Sequence, residues 1–460
     1  MPSLISGPTY EEMFDPRRLP AAIRQEAADA RADERDPANL FNITWRTPDG
    51  GIRYEVLPKE LTGVEANILV LAGRGFPSGS HKVGPAYCTV LESELAGEIA
   101  PGRTTVIGPS TGNFGIGTAY VARLKGYAAV VIMPEGMSAE RYQRIRQYGG
   151  QLDLTPGSES DLILVLERTE QYKKDARNKV LAQFELLANY RFHRYVTGGS
   201  ALEAARHHGN GRVAAFVAAP GSAGTLAAGD AIKARFPEAV VCAPEPKECS
   251  TLFNNGRGEH RIEGIGDKMI TLIHNVLTTD YVILIHDDDC VVGLHLLECR
   301  GARIERQLGL PVGALVRLRG MFGVSGICNL LAAIRMARFL GLGPQDNVVT
   351  VATDGFDRYP SVLANLAERM ALPAEKNAEW FERIFRYRAR QATPRGENSE
   401  EILDVRPREQ KDRLFAFKEQ IWKPFGYSQA YLDGLQSQSF WDSEYDRIRD
   451  IDAAVLADRA

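Results

Sequence analysis

The chain has 460 residues, enough for two or three domains, and its 44% hydrophobic and 25% charged residues are typical of a globular protein. A formal net charge of -4 gives no electrostatic reason to expect nucleic acid or an anionic membrane as a partner. The longest apolar run, Val213 to Ala219, is far shorter than a membrane span, and no signal peptide is expected.

The predicted elements alternate between strands and helices along most of the chain. Residues 1–60 are polar and predict an N-terminal extension with a charged helix over 21–35. Strands are predicted over 67–72, 104–107, 128–133, 152–155, 213–219, 239–243 and 347–352. Helices are predicted over 86–98, 138–148, 158–174, 197–207 and 325–341. Two further helices follow the loops 108–115 and 220–225 and end at residues 125 and 236. Because the strands are apolar without alternation, they predict a parallel sheet covered on both faces. Residues from about 365 onward predict a charged, aromatic helical appendage that adds no strand.

A lysine lies in a glycine- and serine-rich turn, PSGSHKVGP, directly after the first predicted strand. One interpretation is a surface turn with a solvated lysine. A P-loop fits poorly, since Lys82 follows a histidine instead of a glycine and no serine or threonine follows it. The third interpretation is a Schiff-base lysine, which must be held rigidly and be partly desolvated.

Three glycine-rich or hydroxyl-bearing loops leave predicted strands, at 108–115, 220–225 and 353–355. In open parallel sheets, ligands bind beyond the carboxyl ends of the strands. The loop 220–225 opens a helix, so its backbone N–H groups suit a phosphate. It lacks the dinucleotide fingerprint, and each loop taken alone is more typical of an ordinary strand-to-helix turn than of a ligand site. Together with a reactive lysine, these loops favour pyridoxal phosphate as the cofactor.

The same segments resemble the fold-type II pyridoxal-phosphate enzymes, in particular the cysteine synthase / cystathionine β-synthase branch. PSGSHK resembles the PTGSxK of that family, PSTGNFG its TSGN loop, MPEGMSAERYQRIRQYGG its MPE-MS-ERR stretch, QFELLANYRFHRYVTG its QF-NPAN segment, PGSAGT its GTGGT phosphate loop, and EGIG at 263–266 also falls in the expected order. The similarity covers roughly residues 60 to 360, in order and at similar spacing.

The resemblance implies a role for each matching residue. Lys82 would carry the cofactor as an internal aldimine and later move the substrate Cα proton. The other implied cofactor contacts are Asn113 at the ring oxygen, Gly221, Ser222, Ala223, Gly224 and Thr225 at the phosphate, and Thr353 or Asp354 at the pyridine nitrogen. The implied substrate contacts are Ser110, Thr111, Gly112 and Gln183, which would hold the carboxylate, with Phe114 beside them.

Several positions depart from the family pattern. His81 stands where the family has an apolar residue, and Phe114 replaces a threonine that helps to hold the carboxylate, so we expect poor use of O-acetylserine with sulfide. Asp354 stands where this branch usually offers a hydroxyl, which leaves Thr353 as the alternative partner of the nitrogen. The contiguous run 287–289, DDD, predicts a solvated helix start, and no metal site is expected. The six cysteines, at 88, 242, 249, 290, 299 and 328, show no CxxC spacing and predict reduced, mostly buried thiols in a cytoplasmic protein.

The resemblance implies an α/β fold with two open twisted sheets covered by helices, plus N- and C-terminal extensions. It divides the chain into an extension over 1–60, a large cofactor-binding domain from 61–90 and 195–364, a small substrate-binding domain over 91–194, and a helical extension over 365–460. The implied activity is β-elimination or β-replacement on a small L-amino acid with a leaving group on Cβ, in a homodimer. The alternatives are a serine/threonine dehydratase-type lyase and a catalytically silent scaffold that binds pyridoxal phosphate.

Overall fold

The structure, a computed structural model, describes residues 7–110, 112–157, 161–298, 302–369, 372–386 and 401–459. Its strands are β1 (Tyr54–Val56), β2 (Asn67–Ala72), β3 (Thr105–Pro109), β4 (Ala128–Pro134), β5 (Gln151–Thr155), β6 (Asn178–Val180), β7 (Val213–Val217), β8 (Val240–Pro246), β9 (Tyr281–Ile285), β10 (Asn347–Ala352) and β11 (Ile402–Asp404). Its helices are α1 (Tyr10–Phe14), α2 (Ala21–Asp29), α3 (Lys59–Thr62), α4 (Val83–Leu95), α5 (Asn113–Lys125), α6 (Ala139–Gln147), α7 (Leu162–Tyr172), α8 (Leu187–Phe192), α9 (Gly198–Ala205), α10 (Ala227–Arg235), α11 (Asp287–Glu298), α12 (Ala302–Gln307), α13 (Ala314–Leu318), α14 (Val324–Phe339), α15 (Pro360–Arg369), α16 (Asn377–Ile384), α17 (Arg408–Trp422), α18 (Gln429–Gly434) and α19 (Gln438–Arg459).

The strands form two sheets, as the resemblance implies. The larger sheet has seven strands in the order β1-β2-β10-β7-β8-β9-β11, and the smaller has four in the order β5-β4-β3-β6. The smaller sheet is parallel throughout. In the larger sheet the five inner strands are parallel and the two edge strands, β1 and β11, are antiparallel to their neighbours.

Strand β2 shows why the unalternating apolar pattern gives a sheet covered on both faces. Leu69 and Leu71 join one hydrophobic cluster, whereas Ile68 and Val70 join another. Successive side chains of a strand point to opposite faces, so both faces of β2 are buried. The prediction of a sheet covered on both sides is confirmed.

The register of β2 and β10 brings two functional loops together. The strands pair in parallel, residue for residue, from Asn67 opposite Asn347 to Ala72 opposite Ala352. Both strands therefore end at the same level, and the loop that carries Lys82 emerges beside Thr353 and Asp354. Helix α4 begins at Val83, directly after Lys82 and three residues earlier than predicted.

The C-terminal extension is mostly helical, as predicted, but the prediction that it adds no strand is wrong. Strand β11 pairs antiparallel with β9 at the edge of the larger sheet. The large aromatic side chains of Phe381, Phe385, Trp422 and Trp441 are fully buried, so the extension packs on the rest of its own chain.

The acidic run at the start of α11 is only partly the solvated helix start that the sequence predicts. Asp287 and Asp289 are buried and Asp288 is exposed. Asp287 forms an ion pair with Arg261 at 2.7 Å, and Asp289 one with Arg335 at 3.3 Å. Arginine partners offset the cost of burying these carboxylates.

Candidate active site

Lys82 is a buried lysine at the start of α4. Its side chain is among the buried polar groups, and its Nζ donates a hydrogen bond to Ser222 Oγ at 3.1 Å. The interpretation as a solvated surface lysine is therefore wrong. The contact joins the lysine to the loop that the sequence assigns to the phosphate, although the two residues are far apart in the chain.

Backbone pairing fixes the turn that precedes Lys82. Ser80 and Asp354 form an antiparallel bridge, and the Thr353 carbonyl accepts hydrogen bonds from Ser80 Oγ at 3.0 Å and from the His81 N–H at 3.3 Å. Gly79 has a φ of 77°, a conformation that favours glycine. The lysine thus lies on a turn that is held against the end of β10.

The loop 221–225 has the geometry of an anion-binding loop. It connects β7 to the helical segment that opens α10, and Ala223 has a φ of 62°. A Cβ on Gly221 would lie 2.5 Å from the Gly264 carbonyl oxygen, and a Cβ on Gly224 would lie 2.1 Å from Asn189 Oδ1. Neither position has room for a Cβ atom, so both require glycine. The N–H groups of 221–223 donate to no group among the described residues, so they are available to a phosphate.

Ser222 connects the phosphate loop to its surroundings. Its hydroxyl oxygen accepts from Lys82 Nζ and from Asn189 Nδ2, at 3.1 and 3.0 Å. Its carbonyl oxygen accepts from Thr271 Oγ1 at 2.8 Å. Ser222 therefore contacts the lysine through its side chain and anchors the loop through its carbonyl.

Two imidazoles lie behind the lysine. His81 is fully buried, with Nε2 at 3.4 Å from Thr225 Oγ1, and its ring packs edge-on against His193 at a centroid distance of 5.0 Å. Burial lowers the pKa of both histidines well below the usual imidazole value, and the charge of Lys82 adds to the effect. Both rings are therefore neutral near pH 7.

Two of the proposed substrate-carboxylate residues, Ser110 and Gly112, lie between β3 and α5, and Gln183 follows β6. Ser110 Oγ accepts from the N–H groups of Gly112 and Gly115, each at 2.9 Å, and Gln183 Nε2 donates to the Pro109 carbonyl at 3.0 Å. The structure brings these residues together at one edge of the smaller sheet. Thr111 lies outside the described residues. Phe114 is buried in the larger hydrophobic cluster, so its ring is part of the core.

Asp354 links elements of both sheets. Its Oδ2 accepts from Asn113 Nδ2 at 2.6 Å and from the Tyr359 hydroxyl at 2.9 Å. The same hydroxyl accepts from Arg141 on α6 at 2.9 Å, and Arg141 forms a buried ion pair with Glu263. Burial raises the pKa of Tyr359 well above its usual value, so the phenol remains a donor to Asp354. This network holds α5 and α6 of the smaller sheet against the end of β10.

Buried polar atoms at the site fit a polar cofactor. Asn113 Oδ1, Asn189 Oδ1 and Asp354 Oδ1 have no hydrogen-bond partner among the described residues. Buried polar atoms normally find partners, so unpaired ones mark places where a ligand can bind. With the buried lysine and the anion-binding loop, these atoms suit pyridoxal phosphate. In the described part of the chain, no group of three or more histidine, cysteine, aspartate or glutamate side chains could hold a metal ion.

The sequence reasoning missed four residues of the site region: Arg141, Asn189, Ser325 and Tyr359. Arg141 and Asn189 lie within motifs that the resemblance rests on, but no role was assigned to them. Ser325 marked only the start of a helix. The position of Tyr359 depends on a contact with α6, which no local pattern encodes.

Two further structural findings complete the description. Across the described ranges, no helix is long and apolar enough to cross a membrane. Cys88, Cys242, Cys249, Cys290 and Cys328 are free and buried, as predicted. Cys299 lies outside the described residues.

Comparison with known proteins gives relatives of one chemical class. The family described as "Pyridoxal-phosphate dependent enzyme" matches residues 57–354. A cysteine synthase from Staphylococcus aureus is 32% identical over 286 residues, which is 62% of this chain and 84% of the relative. The solved structure of an O-acetylserine dependent cystathionine beta-synthase from Helicobacter pylori is 25% identical, with a TM-score of 0.57, and is aligned over 67% of this chain and 94% of its own.

A cysteine synthase structure from Entamoeba histolytica has a TM-score of 0.59 at 21% identity, over 73% of this chain and 93% of its own, and supports the fold. The family match spans more than half of the chain and includes Lys82, the loop 221–225 and Asp354. The chain belongs to the pyridoxal-phosphate dependent enzyme family, as a cysteine synthase-like member of fold type II.

Proposed function

We propose that the chain catalyses β-replacement or β-elimination on a small L-amino acid that carries a leaving group on Cβ. The observation that carries the proposal is the buried contact between Lys82 Nζ and Ser222 Oγ at 3.1 Å. It puts a reactive amine beside an anion-binding loop, which is the arrangement required to hold pyridoxal phosphate at both ends. One relative is named as an O-acetylserine dependent cystathionine beta-synthase, and O-acetylserine is an amino acid of this class.

Each group of residues has a defined task in this proposal. When bound, pyridoxal phosphate supplies an electron sink for the electrons of the breaking Cα–H bond. The loop 221–225 would hold the phosphate, and Asn113 would contact the ring oxygen. Ser110, Thr111, Gly112 and Gln183 bind the substrate carboxylate and so orient the Cα–H bond. Lys82 removes and returns the Cα proton.

Two alternatives concern the chemistry. A serine/threonine dehydratase-type lyase would use the same lysine and loops but release an unreplaced product. A catalytically silent scaffold would have no need for a buried lysine, because burying an amine costs free energy. The buried position of Lys82 therefore favours an enzyme.

The proposal extends to the organisation of the protein. We propose that the larger sheet belongs to a cofactor-binding domain over 61–90 and 195–364 and that the smaller belongs to a substrate-binding domain over 91–194. A cytoplasmic homodimer is the proposed state. Free, buried thiols are compatible with a reducing compartment.

A substrate panel tests the proposed reaction. We expect the purified protein to consume an L-amino acid with a Cβ leaving group and to turn over O-acetylserine with sulfide poorly, because Phe114 replaces a hydroxyl beside the carboxylate site. The assay measures cysteine, pyruvate and ammonia side by side for serine, threonine and O-acylated serines. Efficient cysteine formation from O-acetylserine would contradict the role given to Phe114. Release of a keto acid from serine or threonine alone would support the dehydratase alternative.

The partner of the pyridine nitrogen is a further proposal. The sequence assigns Thr353 or Asp354. Asp354 Oδ2 already accepts two hydrogen bonds, whereas Oδ1 is unpaired among the described residues and packs closely against Gly323. Ser325 is buried in the first turn of α14, and its hydroxyl forms no hydrogen bond with the described residues. A Cβ on Gly264, which packs against the phosphate loop, would lie 4.0 Å from Ser325 Oγ. On these contacts we propose Ser325 at the nitrogen, with Thr353 and Asp354 Oδ1 as the alternatives, and Asp354 Oδ2 as an anchor between the sheets.

Separate substitutions distinguish these assignments. We expect Ser325→Ala to slow exchange of the substrate Cα proton by about 100-fold, the scale of other lost stabilising donors and acceptors. We expect Asp354→Asn to lower the free energy of unfolding by about 1–3 kcal/mol, because it disturbs a buried network. The measurements are proton exchange into deuterated water and urea unfolding. If Asp354→Asn or Thr353→Ala abolishes exchange while Ser325→Ala does not, the assignment made from the sequence is right.

A further inference from the structure

An irregular segment over 270–279 contacts both the loop 221–225 and the stretch of chain that carries Gln183. Thr271 Oγ1 donates to the Ser222 carbonyl at 2.8 Å. The N–H groups of Leu272 and Ile273 both donate to the Phe184 carbonyl, at 3.0 and 3.3 Å. Phe184 directly follows Gln183, the proposed carboxylate ligand. The segment therefore supports the phosphate loop on one side and the substrate loop on the other.

Helix α17 of the C-terminal extension covers the carbonyl groups of this segment. Lys418 Nζ donates to the carbonyl of Leu272 at 3.1 Å and to that of His274 at 2.7 Å. One turn later, Trp422 Nε1 donates to the Ile270 carbonyl at 2.7 Å. The carbonyls of Ile270, Leu272 and His274 therefore all accept hydrogen bonds from one face of α17. That helix lies beyond residue 354, where the family match ends.

The burial of Lys418 costs free energy that side-chain packing alone does not offset. It is 2% exposed, and none of the carboxylates in the described ranges forms an ion pair with it. Its ammonium lies 5.7 Å from the centre of the Trp441 ring. Burial lowers the pKa of Lys418 to about 7. An ammonium that is enclosed without a carboxylate is tolerated where its hydrogen bonds are needed.

We propose that Lys418 is a positioning residue for the cofactor site, acting through the segment 271–274 to fix Ser222 and hence the amine of Lys82. The chain of contacts runs from Lys418 to the carbonyls of Leu272 and His274, which follow Thr271 in the same segment, from Thr271 to the Ser222 carbonyl, and from Ser222 Oγ to Lys82 Nζ. The C-terminal extension is in this way part of the active-site architecture. The inference rests on the assignment of Lys82 and Ser222 to the cofactor and is independent of the substrate.

Lys411 offers a matched control on the same helix. It is also buried, and its Nζ donates to the carbonyls of Val276 and Thr279, farther along the same segment and away from Thr271. Lys411→Met and Lys418→Met each remove a buried ammonium that holds two carbonyls. They differ in how close those carbonyls lie to Thr271, which contacts Ser222: Lys418 holds the carbonyl of the next residue, Leu272, whereas the nearest carbonyl held by Lys411 is that of Val276.

The test measures the dissociation constant of pyridoxal phosphate, the visible absorption of the bound cofactor and the free energy of unfolding for wild type and both variants. We expect Lys418→Met to weaken cofactor binding by about 10-fold or more and to shift the visible band, as lost outer-shell partners do elsewhere. Lys411→Met should lose comparable stability with cofactor affinity within about 2-fold of wild type.

Thr271→Val keeps the volume of the side chain and removes its hydrogen bond to Ser222, so it tests the same chain of contacts without touching a buried charge. We expect it to reproduce the loss of cofactor affinity, even where Lys418→Met yields too little folded protein. If wild type, Lys418→Met and Thr271→Val have equal cofactor affinity and the same spectrum, the inference about Lys418 is wrong, while the assignment of the cofactor site stands. A wild-type protein that binds no pyridoxal phosphate would overturn the assignment of the site, and the inference with it.

Discussion

Lys82→Ala is expected to abolish turnover and to shift the visible absorption band of the cofactor-loaded protein. The amine is the one group that both links to the cofactor and moves the Cα proton, so we expect a rate loss of about 10,000-fold, the upper range for a lost acid–base group. The loop 221–225 does not depend on the amine, so pyridoxal phosphate should still bind. The measurements are the visible spectrum, cofactor retention after gel filtration, and turnover.

An exposed lysine provides the control for that substitution. Lys59 forms an ion pair with Glu65 at 2.8 Å with 47% of its side chain exposed, so Lys59→Ala should keep both colour and activity. A visible band in Lys82→Ala that is identical to that of the wild type would place the covalent link on another amine. A wild-type protein that stays colourless after addition of pyridoxal phosphate would refute the whole assignment.

The parts of the fold that the sequence predicts best are those in which local pattern and burial agree. Strands β2 and β10 have the predicted bounds because they are continuous apolar runs closed by glycine-rich or polar turns. Strand β9 is equally apolar, yet it was missed. It follows a long stretch without a helix, from Cys249 to Tyr281, which breaks the alternation on which the prediction depends. Strand β11 has three residues and forms through its pairing with β9, a contact between distant parts of the chain.

The same distinction applies to the site. Lys82 and the loop 221–225 stand in short motifs whose glycines and hydroxyls have local reasons to be there, so the sequence predicts them. Arg141 and Tyr359 form their contacts across the two sheets, and Lys418 contacts its carbonyls across 144 and more positions of the chain. Such contacts follow from the packing of whole elements. A motif search therefore finds the residues that meet the cofactor and misses those that hold them in place.

Trp422 is the residue of the C-terminal extension with the largest expected effect on stability. It is fully buried in a cluster with Phe184, Leu272 and Trp441, and its Nε1 donates to the Ile270 carbonyl at 2.7 Å. Trp422→Ala should lower the free energy of unfolding by about 3–5 kcal/mol, the usual cost of removing a buried aromatic ring. Trp422→Phe keeps most of the ring but leaves a buried carbonyl unpaired, so we expect a loss of about 1–3 kcal/mol.

Urea unfolding measures these losses, and Trp380→Ala is the matched control because Trp380 lies in the same extension but is only partly buried. It should cost less than half as much as Trp422→Ala. The competing view is that residues 57–354, which the family match covers, fold alone and that the extension is an addition to a finished domain. On that view, a chain ending near residue 364 would stay soluble and unfold cooperatively with unchanged free energy. We expect that truncated chain to be insoluble, because it would expose the surfaces that Phe381, Phe385, Trp422 and Trp441 now cover.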